Sequence, residues 1–87
     1  MVIEKDEVTI YDVETIYKEI LKEYESDSVV VDLNGVNKLD MSIIQLFVSL
    51  QKSCKKDSKK FELKNCSSEV AEILKKCGCE FLLRKIE

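Results

Sequence analysis

Apolar positions recur along this chain with two different periods. Val13, Ile16, Tyr17, Ile20, Leu21 and Tyr24 are spaced at three and four residues, one stripe of an amphipathic helix. Asp12 stands where it can cap the start, and Ser26-Asp27-Ser28 ends the stripe. Ile43, Leu46, Phe47, Leu50 and Cys54 form a second stripe, widened by Ile44 and Val48. Val70, Ile73, Leu74 and Cys77 form a third, and Gly78 suits the left-handed residue that stops a helix.

Between these stripes the period changes. Residues 2–10 read as an imperfectly alternating N-terminal strand. Val29-Val30-Val31-Asp32-Leu33 is β-branched and nearly continuous, as in a central strand covered on both faces, and Asn34-Gly35 closes it. Phe61-Glu62-Leu63-Lys64 alternates like a strand, and Phe81-Leu82-Leu83 to Ile86 reads as a last one. Strands alternating with helices predict an α/β fold: a mixed, mostly parallel four-stranded sheet with about three helices packed on it. At 87 residues, without proline or repeats, the chain is expected to be a single domain.

Composition narrows the chemistry. The chain has no histidine, which removes the commonest general base and the commonest nitrogen ligand for zinc. No catalytic residue and no cofactor are expected. Cys54, Cys66, Cys77 and Cys79 lack the two close pairs of a structural zinc site, so no metal is expected and the thiols read as small buried hydrophobes. Apolar runs reach about three residues, as in Val29–Val31, far short of the roughly 20 of a membrane span. The N-terminus lacks a basic region and an apolar stretch, so a cytoplasmic protein with reduced thiols and no membrane insertion is expected.

The formal net charge is −3, unevenly spread. Residues 1–27 hold nine acids against three lysines, and residues 28–66 hold seven lysines against four acids. An acidic chain is a poor general binder of phosphate backbones, so no specific nucleic acid is expected. Lys52, Lys55, Lys56, Lys59, Lys60 and Lys64 read as a solvated helix end and turn.

The most informative stretch runs from Asp32 to Leu46. It leaves the carboxyl end of a strand, where α/β sheets carry functional surface. Ser42 and Gln45 have capping-box spacing, and Asp40 places a negative charge at the same helix start. Asp32 and Asn34 are placed to bond the loop backbone.

The pattern Asp32-Leu33-x-Gly35-Val36-x-x-Leu39-Asp40-x-Ser42 at a helix start resembles the STAS domain family, which includes bacterial anti-sigma-factor antagonists. Lys64-Asn65-Cys66-Ser67-Ser68-Glu69-Val70 is similar to the family's strand, polar turn and third helix, and Gly78 falls where the family ends that helix. The likeness spans about Val29 to Leu83 and implies a small STAS-like sandwich. It also implies a non-enzymatic module docking a protein partner through Asp40, Met41, Ser42, Ile43 and Gln45. That partner would be a switch kinase of the anti-sigma type or another signalling protein. The alternative within the resemblance is an accessory subunit of an ABC phospholipid transporter, binding the ATPase subunit through the same surface.

In the family, a hydroxyl in an Asp-Ser-Ser/Thr-Gly-Leu motif is phosphorylated. Asp40 matches the aspartate, Ser42 the second hydroxyl and Ile44 the leucine, while Met41 and Ile43 depart from the motif. Ser42 is thus the candidate phosphorylation site, or simply the N-cap. A phosphate there would add about −1.5 to −2 charges at a helix N-terminus that tolerates them. Met41 and Ile43 read either as an exposed docking patch or as core beneath the N-terminal strand.

Overall fold

Val29 and Val31 are fully buried and pair in parallel register with Phe61 and Leu63, so two β-branched side chains meet two large apolar ones on one face. These pairs join β2 (Ser28–Asp32) to β4 (Lys60–Lys64) in a structure, a computed structural model, that describes residues 1–83. The remaining elements are β1 (Glu7–Val8), α1 (Val13–Glu23), β3 (Lys38–Leu39), α2 (Met41–Lys56) and α3 (Ser68–Lys76). Short 3-10 turns occur at Ile10–Asp12 and Glu80–Leu83. The predicted stripes supply the core: Ile16 and Ile20 from α1, Ile43, Phe47, Leu50 and Cys54 from α2, Val70 and Leu74 from α3.

The α/β class and three helices are as expected; the sheet is not. Among the described residues it consists of two parallel pairs, β2 with β4 and β1 with β3, rather than one mixed four-stranded sheet. The predicted 2–10 strand changes neighbour partway. Residues 1–3 run beside β2, with the Ile3 N–H donating to the Asp32 carbonyl at 3.0 Å and the Asp32 N–H to the Met1 carbonyl at 2.8 Å. β2 then ends, and β1 pairs with β3, in a segment whose sequence read as loop. Past Val8 the chain leaves the ladder as a 3-10 turn, because Thr9 and Asp12 form a capping box there.

Val30 is only half-buried, so β2 is covered less completely on its second face than a central strand would be. The predicted last strand is a 3-10 turn over Glu80–Leu83 with Leu82 buried; Ile86 lies outside the described residues. α3 ends as its sequence suggests. Gly78 takes φ +74°, its N–H donates to the Lys75 carbonyl, and the Cys79 N–H donates to that of Leu74 at 2.7 Å. This is the paired bonding of a Schellman stop.

Candidate functional site

β3 buries Leu39 and hands the chain to Asp40, whose extended backbone (φ −75°, ψ 153°) makes it the N-cap of α2. The Asp40 N–H donates to the Val8 carbonyl at 2.9 Å, and its own carbonyl accepts from Ile43 and Ile44. Its carboxylate does not cap the helix. Instead it accepts from the main-chain N–H of Ile10, at 3.3 Å. The helix tip is therefore tied to the N-terminal segment at two points.

The other half of that tie is the 3-10 turn. Thr9 Oγ1 accepts from the Tyr11 N–H at 3.3 Å, and the Asp12 carboxylate accepts from the Thr9 N–H at 2.9 Å. Lys5 Nζ lies 2.6 Å from the same carboxylate. That lysine, followed by the Thr9 bond, holds the Asp12 carboxyl below its usual range. Asp12 thus sits at the N-cap of α1 but makes no cap bond to it; its carboxylate serves the preceding turn. What results is an exposed apolar trio around Asp40: Ile10 is 59% exposed, Tyr11 91% and Met41 47%.

The five residues singled out at this tip divide. Asp40, Met41 and Gln45 are exposed. Ile43 is completely buried, because it follows Met41 by two positions and a helix turns it into the core beside Phe47. The expectation of a patch flanking Ser42 on both sides is corrected to Met41 alone. Ser42 is not the N-cap: Asp40 is, two residues earlier, and the Ser42–Gln45 capping box does not form. The Ser42 hydroxyl is shielded from solvent and has no hydrogen-bond partner among the described residues. At 100° per residue Ser42 lies on the same side of α2 as Leu46, Ser49 and Ser53, the side turned toward α1.

Ile10 falls at the end of the strand expected over residues 2–10, and Tyr11 falls in no expected element; the structure places both in the 3-10 turn. The signal that could have found them is Thr9-x-x-Asp12, a capping spacing that stops a strand before it reaches Ile10.

Behind the tip, Asp32 Oδ1 accepts from the Asn34 N–H at 2.9 Å and from Asn65 Nδ2 at 3.1 Å. The Asn34 bond, with Asn65 second, lowers the Asp32 carboxyl below its ordinary value. Asp32 bonds the loop backbone as expected, whereas Asn34 takes part through its main-chain N–H and not its side chain. The third helix start is tied to the same loop, since Ser67 Oγ donates to the Val36 carbonyl and accepts from the Val70 N–H, both at 3.1 Å.

Burial raises the thiols of Cys54 and Cys66 above the usual thiol value, which disfavours the nucleophilic thiolate. No group of three or more metal-ligating side chains comes together among the described residues. Lys55 and Lys56 occupy the last turn of α2, while Lys59 donates to the Ser26 carbonyl at 2.8 Å. The lysine run is therefore split between a helix end, a turn and β4. Among the described residues no helix is long and apolar enough to cross a membrane.

Comparison with known proteins gives one family. The family model described as the STAS domain matches residues 5–87. No curated protein matches the chain, and no solved structure does.

Proposed function

The chain belongs to the STAS domain family, and from that membership we propose that it is a non-enzymatic interaction module whose protein partner docks on the first turn of α2 and the 3-10 turn tied to it. The observation that carries this reading is the exposure of Ile10, Tyr11 and Met41 around Asp40, at the junction where β3 delivers the chain to α2. Burying such side chains against a partner is worth about 25 cal/mol per Å² of apolar surface, before the costs of association. Asp40 and Gln45 supply the polar edge.

A switch kinase of the anti-sigma type is the partner class this family suggests. Phosphoryl transfer to Ser42 requires the hydroxyl to reach solvent, so on this reading it belongs to an opened conformation of the tip. In the closed conformation Asp40, Met41 and Gln45 make the contact, and Ile43 holds the helix down from beneath.

Affinity capture on immobilised native protein tests the reading when it is run beside Met41→Glu and Tyr11→Ser. Both positions are exposed, so both variants are expected to keep the wild-type melting temperature. A partner held by the wild type and lost by both variants supports the tip. The same partner held equally by all three moves docking elsewhere, and phosphosite mapping of the captured material reads Ser42 directly.

A further inference from the structure

A groove of about 390 Å³ runs between α1 and α2, apart from the tip. Ile20, Leu46 and Leu50 line its base, and Tyr17 and Leu21 stand one helical turn apart on its α1 lip, each 50% exposed. Tyr24 closes one end, with its position fixed twice. Its hydroxyl donates to Asp57 Oδ2 at 2.6 Å, and Lys59 Nζ lies 4.9 Å from its ring centroid. A wall already held in place loses little rotamer entropy when something packs on it.

The two lips differ in charge. α2 carries no acid from Met41 to Lys56, and Asp57, its C-cap, lines the groove with its carboxylate taken by the Tyr24 hydroxyl. Lys56 lines the groove and Lys52 precedes it by one turn, and neither is in an ion pair among the described residues. On the α1 side the Glu14 carboxylate is matched by Lys18 at 3.1 Å, so that lip is close to neutral.

We propose that this groove docks an amphipathic helix from a protein partner, with its apolar face on Tyr17, Leu21 and Leu50 and an acidic flank along Lys52 and Lys56. Three features select this occupant. The groove lies between two helices, the geometry into which a third helix sets residues at i, i+3 or i+4 and i+7. Its lip residues are half exposed, whereas a small-molecule site buries roughly 70–90% of its ligand. The unpaired lysines on one lip call for negative charge.

The test uses two synthetic helical peptides of about 14 residues, longer than the 11 residues of α1. They share one leucine stripe; one is flanked by glutamates and the other by lysines. Each is titrated into the whole chain and followed by amide chemical shifts. The glutamate peptide is expected to bind at least about tenfold tighter, or 1.4 kcal/mol. The chain's net charge of −3 alone would favour the lysine peptide. Shifts should centre on Leu21, Ser49 and Ser53. Leu21→Ser should weaken binding about tenfold, a Lys52→Glu/Lys56→Glu double variant should remove the glutamate preference, and Met41→Glu should leave both unchanged.

Equal affinities, preference for the lysine peptide, binding of neither, or shifts gathered at Ile10 and Met41 would each overturn the proposal. Saturation of the same residues by a single-chain detergent monomer, with no peptide competing, would assign the groove to a small amphiphile instead. Failure here leaves the tip untouched, since Met41→Glu reads the two surfaces apart.

Discussion

The Asp40 carboxylate accepts its hydrogen bond from Ile10, thirty positions earlier in the chain, and leaves its own helix without a side-chain cap. A residue placed to stabilise α2 locally is used instead to hold two segments together. The 3.3 Å separation marks a modest bond, although the acceptor's charge strengthens it.

Replacing Asp40 by alanine is therefore expected to act in two places. The bond to Ile10 is lost, and so is a negative charge at the positive end of α2, for about 1 kcal/mol in total. Amide hydrogen exchange resolves the effect. The Ile10 amide should lose protection while Val29 and Val31 in β2 keep theirs, and uniform loss across both would count against a local tie.

Ser42 carries a shielded hydroxyl that bonds nothing among the described residues, and leaving such a group unpaired costs about 1–3 kcal/mol. Ser42→Ala should accordingly hold or raise the denaturant midpoint. Ser42→Asp should lower it, because a carboxylate does not fit a shielded site without displacing its neighbours. This outcome is opposite to the one expected of an exposed N-cap. An unchanged midpoint for Ser42→Asp would show that the first turn of α2 opens readily.

Two helices in this chain end with the same bonding, but with different residues at the critical position. Gly78 follows α3 at φ +74°, and Ser58 follows α2 at φ 58°, with the Lys59 N–H donating to the Cys54 carbonyl at 2.7 Å. A side chain is strained in that region and glycine is not. Ser58→Gly is expected to stabilise by about 0.5–1 kcal/mol, read from chemical denaturation, whereas Gly78→Ser should destabilise by a similar amount.

Tyr24 ties the end of α1 to the end of α2 through Asp57, and the carboxylate beside it pushes the phenol up to about 12 from 10.0. The native state therefore favours the protonated phenol. Its contribution is complete below the unfolded value near 10 and is lost as the pH rises through 12. Asp57→Asn should bring the Tyr24 titration down toward 10, followed by the ring carbon shift of that tyrosine. A titration unmoved by the substitution would assign the shift to burial alone.

Much of this architecture was legible in the residues themselves. All three helical stripes fold as helices, β2 and β4 form where β-branched and alternating residues predict them, and Gly78 stops α3 where only a left-handed residue serves. Each of those signals is local: a period of 3.6 or 2, or a single backbone angle, needs no knowledge of distant residues. Val30, half-buried where full cover was expected, already depends on what packs across the sheet.

The tip of α2 was legible in outline only. Asp40, Met41, Ser42, Ile43 and Gln45 were gathered at one helix start, yet which of them face solvent turned on a two-residue shift in where the helix begins. The spacing of Ser42 and Gln45 favours one start, while the Asp40 N–H bonded to Val8 imposes another. Once Met41 is the first helical residue, Ile43 points into the core and Ser42 toward α1.

What the sequence alone determined is the order of elements, the apolar face of each helix and the segment that carries the family likeness, because these follow from periodicity and from one glycine. Tertiary structure alone decided that residues 1–8 change neighbours from β2 to β3, that Ile10 is bonded to Asp40 at the start of α2, and that the Ser42 hydroxyl is covered. Those outcomes depend on hydrogen bonds between residues some thirty positions apart, and no pattern read along a single stretch of chain contains both partners.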